Sequence, residues 1–530
     1  MLTYNFVIRM TRLLRRFLAA ITILLGCSLG WAQTPTLVQH VSCPDSRNTG
    51  NQQSSSPVYT CPLPEPAQAG NTIIVGVKSY NTGSFTVSDD KSNSYGAAKV
   101  SVVDNNSAYL AIYLAINVAA GTRVISFNQT SVNALFAEVS VSEYYNVTAV
   151  DTSHCSGWSS GSSATISAGS LTPTVTGDLI WQFAINSGAG GSSPDAVSSF
   201  SAGTSPSGIS WQLLGTSLHD GDAVQAGVYN STATITPQFT SGSSEDWSSC
   251  AVALKPGNAG AAPTSPFRII HMLHEQVHQG DPSPVAIEFP SSGNLVIMAD
   301  ASGATAISSI CDGATGTGSC PGTSLNTWAS TGAMAGSAAN TAGSQIYYAG
   351  NANPSNSLTL RVVLSGTVSD STMMMYDIVG AASAPFDVDS CPSGAYSNAS
   401  CGGNQLSNVS SFTTCTNCLT PSGVTGGSEV IIGTAQWNWD TGIGVTTTPS
   451  GGLFDAATYT GNSVNGPEYV DQNGGWFHLY TSTTTPISNT YIMSLGSTPE
   501  GWWGGRVAAF KSAQSGNQLL PPTGLTAVVH

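Results

Sequence analysis

Two stretches of this chain repeat one pattern of turns and apolar runs. Each copy opens with a Gly-Asn pair, at residues 70–71 and 293–294, and a continuous apolar run follows at once. An aspartate lies 18 residues after the asparagine in both copies, at Asp89 and Asp312. Short apolar runs bounded by turn residues predict buried strands. Because each copy must bury the same face, an internal repeat constrains the fold more than any single motif does.

The matched positions extend beyond this stretch and keep one order in both halves of the chain. Such ordered matches, with insertions confined to Gly/Ser-rich loops, predict an internal duplication. The matches are Pro35 with Pro266, His40 with His271, Tyr113 with Tyr347, Ala115 with Ala349, Asn117 with Asn351, Asp151 with Asp387, Cys155 with Cys391, Thr172-Pro173 with Thr420-Pro421, Trp247 with Trp503, and Lys255 with Lys511.

Both halves consist of short β-prone runs separated by Gly, Ser and Asn turns, and neither has a convincing amphipathic helical pattern. Many short strands predict an all-β fold. We expect two tandem β-sandwich domains of jelly-roll or immunoglobulin-like type, arising from the duplication. The first would cover residues 33–256 and the second residues 267–514, and the Gly/Ala/Pro composition of the linker at 257–266 predicts a tether.

The first 32 residues have the pattern of a signal peptide. Four arginines precede an apolar run at residues 17–25, and Gly30 and Ala32 place small residues at a cleavage site. The apolar run is too short to favour a retained membrane span. An alternative interpretation takes residues 24–27 as a lipoprotein box in which Cys27 carries a lipid anchor. Both interpretations predict an exported protein that is secreted or held at the cell surface.

The chain is acidic but carries few charges. Only 8% of residues are charged, the formal net charge is −15, and four of the 14 basic residues lie in the signal peptide. Nucleic acids and anionic membrane surfaces bind basic patches, so neither is an expected partner. Abundant Gly, Ser, Thr and Asn are typical of extracellular β proteins with long polar loops.

Cysteine usage indicates the same compartment. Apart from Cys27 the chain has ten cysteines, an even number, which predicts disulfides within each half of an exported protein. The CxxC at 415–418 has no second CxxC to pair with, so a loop disulfide is favoured over a redox or zinc site. The sequence leaves the connectivity open, and the expected pairs are Cys43–Cys61, Cys155–Cys250, Cys311–Cys320, Cys391–Cys401 and Cys415–Cys418.

Several motifs of the first copy resemble those of a known family. They are the Gly-Asn apolar run, V-x-D-x-x-x-N-x-Y at residues 87–95, Y-x-A-x-N at 113–117, Glu143-Tyr144 and a closing tryptophan and lysine. This pattern resembles the immunoglobulin-like sandwich repeats of large secreted bacterial proteins, including acidobacterial ones. The second copy keeps Asp312 but lacks the Asn and Tyr positions. Within the tail at 515–530, PPTGLTA resembles the first strand of a fibronectin type III domain. The resemblance implies an extracellular architecture and brings no catalytic residues.

Two further patterns could indicate catalysis or ligand binding, but each also has a simple structural explanation. GWSSG at 157–161 fits the hydrolase nucleophile elbow, yet no helix is predicted after it, and such matches arise by accident in a Gly/Ser-rich chain. A set of tryptophans could stack on sugar rings, but Trp437 and Trp439 share a face with apolar residues, which favours core packing. The set is Trp437, Trp439, Trp476, Trp502 and Trp503.

The sharpest chemical candidate is HEQVH at 274–278, which spells the zincin motif. On a helix, His274 and His278 would share one face and bind zinc while Glu275 activated water. The alignment of the two copies instead places His271 on a strand and residues 274–281 in a loop. On a strand the two histidines would stand roughly 13 Å apart, which suits one zinc ion badly. We therefore predict that the motif is not a working zinc site.

A calcium site is a lesser alternative in the first copy. Asp89, Asp90 and Asn93 place several oxygens on one turn, as extracellular calcium sites do. Asp and Asn also suit turns because their side chains bond nearby backbone groups, so a plain turn is the expected role. No other cofactor is expected.

Together these observations predict a non-catalytic cell-surface or extracellular-matrix interaction module, with an adhesive role. Its expected partners are extracellular glycans or neighbouring surface proteins. The alternative is a secreted hydrolase, either a zinc peptidase acting through His274, Glu275 and His278 or a glycosidase. The paired carboxylates of a glycosidase would come from different strands, so spacing does not identify them.

Overall fold

Strands, turns and loops make up the described part of the chain, and no described residue is helical, so the all-β prediction is confirmed. The computed structural model describes residues 33–43, 58–79, 85–105, 107–129, 138–157, 163–186, 200–203, 208–217, 221–277, 285–302, 307–312, 324–332, 335–337, 342–364, 371–391, 402–403, 411–422, 427–438, 445–447, 453–458, 472–493 and 503–513.

The strands of the first half form two units. Unit 1 contains β1 (Thr36–Cys43), β2 (Val58–Pro62), β3 (Thr72–Ser79), β4 (Phe85–Asp89), β5 (Val100–Val103), β6 (Tyr109–Ile116), β7 (Val124–Gln129) and β8 (Glu138–Tyr145). Unit 2 contains β9 (Val147–Ser156), β10 (Ser163–Ser167), β11 (Asp178–Asn186), β12 (Phe200–Ser201), β13 (Gln212–Ser217), β14 (Asp222–Tyr229), β15 (Gln238–Glu245) and β16 (Trp247–Pro256).

The second half also forms two units. Unit 3 contains β17 (Arg268–Val277), β18 (Val285–Ser291), β19 (Leu295–Ser302), β20 (Ile307–Asp312), β21 (Ala329–Ser330), β22 (Ala335–Ser337), β23 (Ala342–Gly350), β24 (Ser355–Leu364) and β25 (Ser371–Val379). Unit 4 contains β26 (Ala381–Asp389), β27 (Gly402–Gly403), β28 (Ser411–Leu419), β29 (Glu429–Asn438), β30 (Val445–Thr447), β31 (Leu453–Thr458), β32 (Gln472–Thr481), β33 (Ile487–Met493) and β34 (Trp503–Ser512).

One strand order recurs in the four units. The larger sheet of unit 1 runs β1-β8-β3-β6-β5 and its smaller sheet runs β2-β7-β4, and unit 2 repeats this order as β9-β16-β11-β14-β13 and β10-β15-β12. Unit 3 runs β17-β25-β19-β23-β21 with β18-β24-β20, and unit 4 runs β26-β34-β29-β32-β31 with β28-β33-β30. In each unit the first strand pairs with the last, and a strand near the start pairs with the next to last (β2 with β7, β10 with β15, β18 with β24, β28 with β33), in the wrapped manner of a jelly roll.

The sequence predicts one sandwich for each half, whereas the structure has two in each. The matched segments do hold equivalent places, since residues 70–89 supply β3 and β4 and residues 293–312 supply β19 and β20. No linker composition marks the boundary inside a half, because one residue in the left-handed conformation joins the units. That residue is Asn146 at φ 64° between units 1 and 2, and Gly380 at φ 77° between units 3 and 4.

The units form layers around a shared central sheet. β1 pairs with β17 in parallel, with His40 opposite His271, so that the larger sheets of units 1 and 3 join into one 11-stranded sheet. On one face of it, β13 of unit 2 pairs with β18 of unit 3 at Thr216 and Glu288. On the other face lie the small sheet of unit 1 and the larger sheet of unit 4. The two halves are therefore one packed body.

Alternation along β3 shows how the central sheet serves two cores. Ile73 and Val75 pack toward the small sheet of unit 1, while Ile74 packs toward Trp181 of unit 2. Gly76 faces the same way as Ile74, and a β-carbon there would lie 2.8 Å from the Trp181 ring. The near-continuous apolar run that the sequence shows is the mark of a strand buried on both faces.

The predicted tether is anchored along unit 1. The Asn71 side chain accepts a hydrogen bond from the Ala261 amide at 2.7 Å and donates to the Ala261 carbonyl at 3.1 Å. The Asn146 amide donates to the carbonyl of Ala259 at 2.7 Å. Composition alone missed this anchoring, because the partners of the linker are side chains and backbone groups far away in the sequence.

Candidate functional site

HEQVH begins on a strand, not on a helix or in a loop. β17 continues to Val277, so His274 and Glu275 point to opposite faces of the central sheet, while His278 lies outside the described residues. The His274 ring packs edge-on against Trp476 with centroids 4.9 Å apart, and burial lowers the pKa of His274 to about 3. The prediction that His274 lies in a loop is therefore wrong. His274 is a neutral histidine in the core.

The histidine match is also displaced by one residue. His271 lies opposite Asp377 on β25, and its Nδ1 atom is 2.9 Å from the Asp377 carboxylate. The residue that lies opposite Glu143 on β8 is Gln39, whose amide donates to that carboxylate at 2.5 Å. Gln39, not His40, is therefore the counterpart of His271.

The oxygens of the calcium candidate bond to protein donors. Asp89 accepts hydrogen bonds from the Lys91 amide, from the backbone and side-chain nitrogens of Asn93 and from the Tyr95 hydroxyl. Asp90 accepts from the Arg123 amide at 2.9 Å. This arrangement fits the plain turn that the sequence favours, because Asp side chains stabilise turns by accepting hydrogen bonds from nearby backbone groups.

In the second half of the chain an asparagine and an aromatic residue do contact Asp312, although the fixed spacing of the first half predicted neither. Asp312 accepts hydrogen bonds from the Asn326 backbone amide at 2.9 Å, from the Asn326 side chain and from the Trp328 indole at 3.1 Å. An insertion separates Asp312 from Asn326, so a comparison at fixed spacing misses the match. Trp328 stands where unit 1 has Tyr95.

Two of the predicted disulfides are confirmed. Cys43 and Cys61 are bonded with Cα atoms 5.7 Å apart, and Cys155 and Cys250 are bonded with Cα atoms 4.1 Å apart. Cys311 and Cys391 are also disulfide-bonded. The predicted partners Cys320 and Cys401 lie outside those residues, as do the side chains of Cys415 and Cys418. The disulfides are compatible with an extracellular protein.

The remaining sequence candidates are only partly described. Trp476 is fully buried, and its indole donates to the Ala299 carbonyl at 3.0 Å, so it packs in the core. The side chains of the other four tryptophans in the set lie outside the described residues, as do residues 158–162, which include most of GWSSG.

A cleft that the sequence analysis did not predict opens where the two halves meet. We call it the junction cleft, and it encloses about 380 Å³. Its walls come from unit 1, the linker, β17 and unit 4. The lining residues are Val38, Gln39, Glu65, Pro66, Gln68, Pro263, Thr264, Ser265, Phe267, Arg268, Ile269, Ser428 and Tyr480.

Arg268 and Glu65 give the junction cleft its polar character. Arg268 donates from Nη1 to the Ser265 carbonyl at 3.1 Å, while its Nε is buried and has no hydrogen-bond partner among the described residues. Glu65 accepts a hydrogen bond from the Tyr480 hydroxyl, and that hydroxyl accepts one from the Ile269 amide. Burial raises the pKa of Glu65 and lowers that of Arg268, so the cleft walls are partly withdrawn from water.

Charged groups continue beneath the cleft. His478 lies between two carboxylates, with Nδ1 2.7 Å from Asp455 and Nε2 3.9 Å from Glu65. Asp455 also pairs with Arg123 of unit 1 at 3.0 Å and accepts a hydrogen bond from the Tyr376 hydroxyl at 2.9 Å. Glu65 and Tyr480 are 415 residues apart in the sequence, and no motif or spacing identifies them as neighbours.

No protein-family model, curated protein or solved structure matches this chain. Among the described residues no helix has the length and apolar character needed to cross a membrane.

Proposed function

We propose that this chain is an exported, non-catalytic interaction module of the cell surface or extracellular matrix, and that it binds glycans in the junction cleft. The observation that carries the proposal is the buried Arg268 Nε, which has no hydrogen-bond partner in the part of the chain that the structure describes and lies in a cleft that both halves build. Buried donors are nearly always satisfied, so this one favours a ligand or ordered water at the cleft.

The chemistry of the walls favours a neutral, hydroxyl-rich ligand. Arg268 offers donors and the Glu65 carboxyl offers acceptors, and a sugar hydroxyl can satisfy both. An anionic ligand would approach Glu65 in a chain whose formal net charge is −15, which is unfavourable. Gln68, Ser265 and Ser428 add amide and hydroxyl groups around the rim. Glycans therefore suit the cleft better than charged small molecules.

A glycan array with the purified chain, followed by calorimetric titration of the best glycan, tests the proposal. Arg268→Ala should weaken binding by about tenfold or more, because hydrogen bonds from a charged donor are lost. Lys99→Ala is the matched control, since it removes a cation near the edge strand β5 and should leave affinity unchanged. Glycan binding that survives Arg268→Ala, or binding to surface proteins alone, would contradict this assignment.

Glu65 supports a second candidate function, a glycosidase. A carboxyl whose pKa is raised by burial, in a cleft and beside His478, is the kind of group that acts as a general acid. The array glycans should be incubated with the protein and analysed for products. A binding module returns them intact, whereas a glycosidase cleaves them and loses this activity in Glu65→Gln.

A further inference from the structure

Lys78 is a lysine buried between units 1 and 2. Its side chain is 1% exposed, and its Nζ atom lies 3.0 Å from the Asp222 carboxylate and 3.2 Å from the Glu138 carboxylate. Those two side chains are themselves only 6% and 8% exposed. Charged residues are almost never this deeply buried without a specific partner, and here one amine faces two acids.

The strand pattern brings these three groups together. Lys78 follows Ile74 and Gly76 on the face of β3 that packs against unit 2, and Glu138 is its cross-strand partner on β8. Asp222 opens β14 on the facing sheet, on the same face as Val224 of the shared core. Lys78 therefore spans the gap between two sheets, and its two acids approach from different directions.

Burial also sets the charge state of the cluster. Counted over the described residues, one ammonium beside two carboxylates leaves a net negative charge in a region from which water is excluded, and like charges at one site favour an acid that retains its proton. Desolvation disfavours the charged form of lysine as well. A neutral amine beside a protonated carboxyl is then within reach, and the neutral amine is the nucleophilic form of lysine.

We propose that Lys78 and Asp222 join in an intramolecular amide bond, with Glu138 as the proton carrier. Glu138 takes a proton from the Lys78 ammonium, and the neutral Nζ attacks Cγ of the protonated Asp222 carboxyl. The new C–N bond forms as the C–O bond to the hydroxyl breaks. The second proton of the amine passes to that hydroxyl, which leaves as water, and Glu138 retains the first proton. The step needs no oxidant, cofactor or activated group.

Geometry distinguishes the roles of the two acids. Asp222 lies across the gap between packed sheets, about 10 Å wide, and an extended lysine joined to a short aspartate spans such a gap. Glu138 lies directly beside Lys78 in the same sheet, and its carboxylate, 3.2 Å from the Nζ atom, is placed to take the proton of the amine. The bond would tie unit 1 to unit 2 across 144 residues of sequence.

Two other lysine–aspartate pairs serve as internal comparisons. Lys255 lies 3.2 Å from Asp151 and Lys511 lies 2.6 Å from Asp387, but these lysines are 36% and 31% exposed. Water reaches these two amines and competes with the carboxylates for them, whereas packing excludes water from Lys78. We therefore expect neither pair to form an amide bond.

The test is a peptide map of the purified full chain after reduction, alkylation and denaturation. Trypsin should fail to cut after Lys78, and the peptide that contains Lys78 should be linked to the peptide that contains Asp222. The mass of the linked species should be one water molecule below the sum of its parts. Separate linear peptides, or a link from Lys78 to Glu138, would overturn the proposal.

Variants sharpen the result. Lys78→Met and Glu138→Gln should each abolish the linked species completely, whereas Lys255→Met should leave it in full yield. A linked species that survives Glu138→Gln would remove the proton-carrying role. The map of the unaltered protein decides the existence of the bond even where a variant fails to fold.

Discussion

β1 and β17 lie inside the central sheet, whereas β9 and β26 are edge strands, yet all four have a bulge opposite the last strand of their unit. Inside, the bulged residues are Val38 and Ile270. At the edges they are Asp151 and Asp387. One backbone irregularity thus recurs in two chemical environments.

The polar pair beside each bulge changes with that environment. In the interior, the residue after the bulge bonds a buried carboxylate on the last strand, as Gln39 does with Glu143 and His271 with Asp377. At the edges, the bulged aspartate instead pairs with a partly exposed lysine. Bulges and charges both protect sheet edges from pairing with other chains. The comparison indicates that access to water selects which pair joins the first strand to the last.

Removing the carboxylate of an interior pair should lower the free energy of unfolding more than any other change considered. Asp377 is fully buried and accepts hydrogen bonds from Ser292 as well as contacting His271. Asp377→Ala should lower the free energy of unfolding by about 3–5 kcal/mol, because buried donors lose their acceptor. Urea denaturation measures the loss.

The edge counterpart is the control for this prediction. Asp387→Ala should cost only about 1 kcal/mol, since its lysine can return to water. Equal losses in the two variants would show that burial does not distinguish the interior pair from the edge pair.

The next largest effect on stability should come from the residue that anchors the linker. This residue also bonds the carboxylate of the interior pair in unit 1. Asn71 bonds both Glu143 and Ala261. Asn71→Ala should lower the free energy of unfolding by about 2 kcal/mol and should make residues 257–266 more sensitive to limited proteolysis. Asn294→Ala, which releases Ala381 in the second half, should leave that linker as resistant as before. If proteolysis of residues 257–266 is unchanged by Asn71→Ala, the linker is a tether after all.

The strands were predictable because their signals are local. Runs such as residues 179–185 and 430–435 are short, apolar and bounded by turn residues, and each falls inside a strand of the structure. The division of each half into two units was not predictable, because β8 and β9 are separated by one residue with no change in composition. Pairing of β1 with β17 also leaves no local signal, since a parallel partner lies far away in the sequence.

The junction cleft was less predictable than the fold. Motif searches favour residues close in sequence, as in HEQVH, yet the cleft combines Glu65, Arg268 and Tyr480 from three units. Asn326 shows a related limit, because an insertion displaces it from Asp312 while the hydrogen bonds stay the same. The chemistry of each position was visible in the sequence, but its partners were set by tertiary packing.

The edge pair of unit 2, Asp151 with Lys255, should also make the free energy of unfolding depend on pH, because a third group, Asp178, lies beside it. Burial, together with the nearby Asp151 carboxylate, raises the pKa of Asp178 to about 7. Its unfolded value is about 3.9, so between pH 4 and 7 the folded state binds the extra proton. This contribution to stability is therefore full below about pH 4 and is lost as the pH rises toward 7.

Asp178→Asn tests this expectation by removing the titrating carboxyl. Asparagine should fit the position, because Asn71 and Asn294 occupy the equivalent place in units 1 and 3. The variant should be more stable than the unaltered protein at pH 8, by on the order of 1 kcal/mol after solvent screening, and its advantage should disappear at pH 4. Thermal melts at pH 4, 5.5 and 8 measure the trend. Asp246→Asn, the same substitution directly before β16 and away from this pair, is the control variant.

The smallest effect should come from the exposed lysines of the edge pairs. Lys511 lies 2.6 Å from Asp387 but is 31% exposed, so water and salt compete with the carboxylate for it. Lys511→Met should lower the free energy of unfolding by only about 0.5 kcal/mol at low salt. The difference should shrink further at 1 M salt, where screening acts over about 3 Å. Lys255→Met in unit 2 should behave alike, because its geometry and exposure are similar. A loss as large as that of Asp377→Ala, insensitive to salt, would mean that the edge pairs are sealed from water and would remove the distinction between edge and interior.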